Sequence, residues 1–273
     1  MKNKNNKALK DVLVLSVLPL ASLIPAWFFR LNFLTTTLLF FGLPSAFLSF
    51  RDPTKVKRAV LFAPFFSVAG IYADYMAEKD LEWAEPLSIF KFRIAGTVPI
   101  ESVIWFFLMT YLIVVFYEHF FDHFRHHSVG RRMKFLYIIL TFMTLLFILP
   151  LALHAQLPVI SYFYLKLGIL LGLLPLIAFS IKFPRFVSVF LKITPYFLGL
   201  SVLDELVGLH NRHWAYPGRQ FIGWINLGTY RFPYEEVLFW MIIFSSVVIA
   251  YFEFFDDNRL KFRPQARLHR SSK

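Results

Sequence analysis

The sequence predicts an all-α integral membrane protein with about eight transmembrane helices in two parallel four-helix repeats, or seven if the first span is removed or peripheral. Three observations predict it. Hydrophobic residues make up 58% of the 273, and mean hydropathy is +0.58, against roughly 45–50% apolar usage in soluble domains. Apolar stretches close to the roughly 20 residues that cross a hydrocarbon layer recur along the whole chain. A shift of 134 positions lays Pro99 on Pro233, Glu101 on Glu235, Tyr117 on Tyr251, Phe120 on Phe254 and Asp122 on Asp256, a self-similarity that marks duplicated architecture.

In chain order the expected spans are residues 11–28, 33–50, 59–77, 99–121, 134–156, 161–181, 186–209 and 233–255. The first follows "MKNKNNKALK" without a small-residue cleavage site and reads as an anchor rather than a signal peptide. Lys and Arg then orient the chain. They gather before span one (Lys2, Lys4, Lys7, Lys10), after span two (Arg51, Lys55, Lys57, Arg58) and after span four (Arg125, Arg131, Arg132). The pattern continues after span six (Lys182, Arg185) and after span eight (Arg259 to Arg270). The positive-inside rule therefore predicts a multi-pass cell-membrane protein with both termini cytoplasmic, although Arg212, Arg219 and Arg231 run against it. Four spans per half, residues 11–123 and 134–257, keep the repeats parallel about a pseudo-twofold axis, and residues 258–273 form a basic cytoplasmic tail.

Charge and cysteine content exclude other classes. The net charge of +12 is dispersed in short loop clusters between apolar runs, which argues against nucleic acid as a partner. Cysteine is absent, so no disulfide or thiolate metal site exists. No glycine-rich dinucleotide fingerprint or phosphate loop occurs, and no cofactor is expected.

The chemistry-bearing residues repeat with the spans. "VPIES" and "FPYEE" put Glu101 and Glu235 in the first turn of spans four and eight, followed one turn on by Trp105 and Phe239. A glutamate there meets the positive end of the helix dipole, so a capping role is the plain reading. Three features point beyond it: the acid recurs in both halves, Asp74 and the pair Asp204 and Glu205 end the neighbouring spans on the same side, and each glutamate has an aromatic one turn on; Trp83 and Trp214 follow nine residues after Asp74 and Glu205. Carboxyls converging on an apolar cavity raise one another's affinity for protons and can act as donor and acceptor. Aromatic faces beside them hold a cation.

These residues resemble the lycopene cyclases built from two small membrane subunits or their fused form, in which a proline–x–acid–acid signature opens the last helix of each domain. "GTVPIESVIWF" and "YRFPYEEVLFW" carry the resemblance, over about residues 33–257. It implies cyclisation of the open ends of lycopene or a related acyclic carotenoid without net redox. The implied catalytic residues are Glu101 and Glu235, supported by Glu236, Asp74 and Glu205, and the implied substrate contacts are Trp105, Phe106, Phe239 and Trp240. The bilayer and other carotenoid-pathway enzymes are the implied partners. The chain departs from the pattern at Ser102, where a second acid is expected, and in span one, an addition to a three-helix domain.

The competing readings rest on fewer residues. "EHFFDHFRHH" places His119, His123, His126 and His127 at spacings reminiscent of membrane di-iron oxygenases, but His210 and His213 fall on the opposite side. Paired glutamates also occur in intramembrane CAAX-type proteases, which expect arginine where Trp240 stands. Asp74 and Asp80 lack the grouping of a prenyltransferase magnesium site. A non-enzymatic carotenoid- or isoprenoid-binding or transporting protein is the main alternative. Trp83, Trp214 and Trp224 are expected as interfacial anchors, Lys192 as a snorkelling side chain and Pro195 as a kink.

Overall fold

The computed structural model describes residues 2–122, 131–153 and 159–256. Its helices are α1 (Lys2–Phe28), α2 (Phe33–Arg51), α3 (Pro53–Lys79), α4 (Ile100–Phe120), α5 (Arg131–Ala152), α6 (Phe163–Lys182), α7 (Arg185–Asn211) and α8 (Phe244–Asp256). The first seven are each long and apolar enough to cross a membrane.

The eighth expected span is broken. A π-helical segment, Glu236–Ile242, precedes α8 and is bent 50° from it, so residues 233–255 are not one straight helix. Phe239 and Trp240 lie on that segment, which turns their rings inward rather than along a continuing helix face. The other departures from an all-helical chain are two small antiparallel hairpins: β1 (Arg93–Ile94) with β2 (Val98–Pro99), and β3 (Trp224–Leu227) with β4 (Tyr230–Pro233). Gly96 and Gly228 occupy their tight turns at φ 75° and 62°, where a side chain is strained. Each hairpin ends on proline, which cannot donate to a ladder but is tolerated where a helix begins.

Corresponding elements of the two halves share their irregularities. α2 and α6 each contain a π-helical turn, Leu38–Gly42 and Gly168–Leu173, followed two residues on by Pro44 and Pro175. Proline lacks the N–H and crowds the preceding turn, so the ladder slips to a wider register just before it. α3 and α7 are both 27 residues long and carry Pro64 and Pro195 at the same position from their starts, within one residue.

Packing sorts the helices by role. α4 is central: α3, α2 and α8 all pack on it, and Met109, Leu112, Ile113 and Val114 are fully buried. α5 and α6 are peripheral, and Phe135, Phe142, Leu145, Leu170 and Leu174 face outward. Outward apolar rows of this kind suit contact with lipid chains rather than water.

The loops alternate between two ends. At one end, His213 Nε2 meets the Leu31 carbonyl at 2.8 Å, the Ile160 amide donates to Asp80, and the Tyr162 amide donates to Gln220. Connections after α1, α3, α5 and α7 therefore meet there. At the other end, Asp11 takes Arg51 at 2.6 Å and lies 3.1 Å from His119, while Arg58 reaches Glu118 at 2.5 Å and Asp256 at 3.1 Å. The Arg58 cluster ties α3, α4 and α8 together with all three charged side chains buried. At 1.5 Å per residue, Arg58 and Asp74 stand about 24 Å apart along α3.

Candidate functional site

The loop end is built around two short segments with nearly the same sequence. Trp83-Ala84-Glu85-Pro86 follows α3, and Trp214-Ala215-Tyr216-Pro217 follows α7. Their alanines pair with each other, each amide donating to the other's carbonyl at 2.9 Å. Around this bridge the tryptophans reach back to the acids that close the preceding helices. Trp214 Nε1 donates to Glu205 at 3.0 Å, and the side chain of Trp83 hydrogen-bonds Asp74.

Glu101 and Glu235 secure the loops. Glu101 accepts the Ile89 amide at 2.7 Å and the Ser88 hydroxyl at 2.9 Å, and Glu235 accepts the Ile222 amide at 2.7 Å. Both are fully buried, so each carboxylate clamps the start of its hairpin against the first turn of a helix. Glu82 does comparable work across the halves, accepting the amides of Phe163 and Tyr164 and so capping α6.

Below these clamps lies a cavity of about 200 Å³. Its polar end is lined by Glu85, Glu205 and Glu236 with Tyr164 and Tyr216. Tyr164 donates its hydroxyl to Glu236 at 2.7 Å, and Tyr216 donates to Glu205 at 3.3 Å. The second oxygen of Glu205, Oε1, is buried and accepts no hydrogen bond among the described residues. The remaining wall is apolar. Phe106 lies so close to Gly70, and Phe239 to Gly168, that a Cβ on either glycine would come within 2.3 Å of the ring. Trp240 stacks on Trp105 with centroids 4.4 Å apart, and Trp105 is oriented by a 2.9 Å bond from its Nε1 to Asp204. Leu171 lines the cavity yet is 54% exposed. The apolar part therefore reaches the side of the bundle, along the apolar belt of α6.

Of the residues singled out in the sequence, the cavity gathers Glu205, Glu236, Trp105, Phe106, Phe239 and Trp240. Glu101 and Glu235 stand behind it on the loops, and Asp74 is buried beside Glu85 without lining it. Trp83 and Trp214, expected as interfacial anchors, instead line the cavity, because their indoles are drawn inward by the acids of α3 and α7. Trp224 lies under the Arg231 guanidinium at 3.8 Å. Glu85, Tyr164 and Tyr216 escaped the sequence reading. Glu85 and Tyr216 had a signal: the 131-residue shift that lays Trp83 on Trp214 also lays Glu85 on Tyr216 and Pro86 on Pro217.

The 131- and 134-residue shifts also pair the buried polar residues of the two halves. The first half sets Asp74, Glu85 and Ser102 where the second sets Glu205, Tyr216 and Glu236. Each set holds two acids and one hydroxyl. In the first the second acid, Glu85, stands on the loop and accepts a hydrogen bond from Ser102 of the helix start at 2.6 Å. Burial, followed in the same direction by the charges of Glu78 and Glu101, pushes the Glu85 carboxyl up to about 8, against the pull of Ser102 and Arg93. Burial and the neighbouring carboxylates Glu205 and Glu236 also raise the Tyr216 phenol, so it remains a hydroxyl donor.

No group of three or more His, Asp or Glu side chains placed to hold a metal occurs among the described residues. His123, His126 and His127 lie outside them, as does the basic tail. No protein-family model, curated protein or solved structure matches the chain.

Proposed function

We propose that the chain is a membrane-embedded, lycopene cyclase-like enzyme that closes the end group of an acyclic carotenoid by acid–base chemistry. The observation that carries the reading is the cavity itself: buried carboxyls at one end, aromatic faces along the wall, and a side opening at Leu171 in the apolar belt. A polyene enters such a cavity from lipid, end first. A carboxylic acid adds a proton to the terminal double bond, forming a C–H bond and a tertiary cation. The neighbouring double bond supplies the electron pair for the ring C–C bond, and a carboxylate removes a proton from the new cation. No electrons are gained or lost, and the product is an isomer of the substrate.

The protein's part is positioning and electrostatics. Glu236 and Glu205, which face the cavity, exchange protons with the substrate, and Tyr164, Tyr216 and Trp214 fix their orientation. The stacked Trp105 and Trp240 present ring faces that stabilise the cation by roughly 1–2 kcal/mol each where water is excluded. Glu101 and Glu235 act through the loops, as positioning residues. In this reading the two halves are parallel repeats with α1 and α5 as their first spans. The cavity end faces outward, both termini are cytoplasmic, and other carotenoid-pathway enzymes supply substrate through the membrane.

A carrier would need the cavity but not the acids. Expression in a bacterial host that accumulates lycopene, with pigment analysis by chromatography and mass detection, separates the two. Ring-type spectra at unchanged mass, gaining one mass unit per ring in heavy water and vanishing in Glu236→Gln, are the expected result. Bound but unaltered lycopene would leave a carrier, and no bound or altered pigment would defeat both.

A further inference from the structure

Among the described residues, Glu85 is the acid that lines both the internal cavity and a second hollow on the outer surface of the loop end. That hollow is bounded by Tyr75, Glu78, Arg93, Gly96 and Thr97, and it is separated from the cavity by Glu85 itself. The contacts form a continuous chain. Glu78 accepts the Glu85 amide at 2.7 Å, Arg93 lies 3.8 Å from Glu78 and donates to the Glu85 carbonyl at 2.6 Å, and Ser102 holds the Glu85 carboxyl at 2.6 Å. Glu205 and Glu236, the other carboxyls lining the cavity, do not line this hollow.

Resting on the cyclase reading, we infer that Glu85 is the proton donor that starts the reaction, reloaded from the outer hollow after each turnover. The assignment follows from access. The group that gives up a proton to carbon must regain one before the next substrate, and Glu85 lines both the cavity and the outer hollow. Glu205 and Glu236, on the opposite half, receive the proton that the ring releases; among the described residues Glu205 Oε1 is buried there with no hydrogen bond of its own. In sum, the Glu85 O–H bond breaks, a C–H and the ring C–C bond form, and a second C–H bond breaks with its proton passing to Glu205 or Glu236; once product leaves, that proton is released across the emptied cavity through Glu85, which is then reloaded from the outer hollow. The charged and titratable groups around Glu85 are Asp74, Tyr75, Glu78 and Lys79 from α3, Arg93 from the first hairpin, Glu101 from α4, and Tyr164, Glu205, Tyr216 and Glu236 around the cavity. Ser102 is the neighbour whose hydrogen bond favours the ionised form, so its removal strengthens proton retention.

The test uses the full chain in proteoliposomes supplied with lycopene, with product formation followed against pH. Glu85→Gln is expected to lower kcat at least about 100-fold while lycopene binding, read by absorbance, stays within about threefold. Ser102→Ala is expected to move the alkaline limb of the rate profile upward, which loss of packing alone would not do. A Glu85→Gln protein that keeps its rate within threefold, or a Ser102→Ala protein whose alkaline limb stays in place, overturns the assignment while leaving the cyclase intact. If Glu85→Gln does not fold, the Ser102→Ala profile decides alone. Wild-type protein that binds lycopene and forms no ring defeats the cyclase reading and this one with it.

Discussion

Replacing Gly168 by alanine tests the wall of the cavity against an internal control four residues away. An added Cβ at Gly168 would stand 2.3 Å from Cγ and Cδ2 of Phe239, whereas the same change at Gly172 meets nothing nearer than Ile243 at 3.6 Å. Ordinary van der Waals contact begins at 3.4 Å, so the Phe239 ring must retreat by about 1.1 Å or α6 must move away. Overpacking of this kind costs about 1–3 kcal/mol. The Gly172 change carries no such penalty and gains up to about 1 kcal/mol from helix propensity and reduced freedom of the unfolded chain. For a chain of this size each kcal/mol moves Tm by about 2–4 °C, so Gly168→Ala should melt roughly 2–12 °C below wild type and Gly172→Ala at or slightly above it. Thermal unfolding in detergent, followed by near-ultraviolet circular dichroism, reads both. Equal melting temperatures for the two variants would refute the close approach of Phe239 to α6, and with it the shape of the cavity.

Other perturbations give distinct outcomes. Glu236→Gln keeps the shape of the site but removes an acid that faces the cavity, and ring formation should fall about 10²–10⁴-fold with pigment binding retained. Glu235→Gln loses a carboxylate that clamps the Ile222 amide; amide hydrogen exchange at Ile222 should accelerate, and stability should drop by about 1–3 kcal/mol. The Glu85 carboxyl is held up to about 8 from the usual 4.5, so the folded state binds this proton more tightly than the unfolded one. Its contribution to stability is complete below about pH 4.5 and is lost as pH rises through about 8, and Tm should fall over that window less steeply in Glu85→Gln. Arg58→Met leaves Glu118 and Asp256 buried without their guanidinium and should cost about 3–5 kcal/mol in a chemical-denaturant titration, far from the cavity and with little effect on bound pigment.

Much of this architecture is written in the sequence because it is set by local rules. Apolar length places the helices, and their observed bounds fall within a few residues of the expected ones except at residues 11, 59, 156 and 233, where the helical basic stretch from Lys2, the start at Pro53, the end of α5 at Ala152 and the bend at Ile243 redraw them. The alternation of loops between two ends follows from the number of spans. The 134-residue shift located Glu101 and Glu235 as equivalent residues, and they make equivalent bonds to the Ile89 and Ile222 amides. What the shift could not show is direction. Two adjacent glutamates, Glu235 and Glu236, look alike in a sequence, yet the first points to a loop amide and the second into the cavity, because neighbours on a helix project about 100° apart.

The same limit hid Glu85. In a loop without periodicity, nothing local distinguishes a solvated glutamate from one buried beside Asp74 and Ser102; that difference arises only when α3, α4 and the first hairpin close around it. Sequence alone thus determined where the chain is apolar, which residues recur and which chemistry their types allow. Tertiary structure decided which acids face the cavity and which hold the loops, since burial and hydrogen-bond partners belong to contacts between segments far apart in the chain.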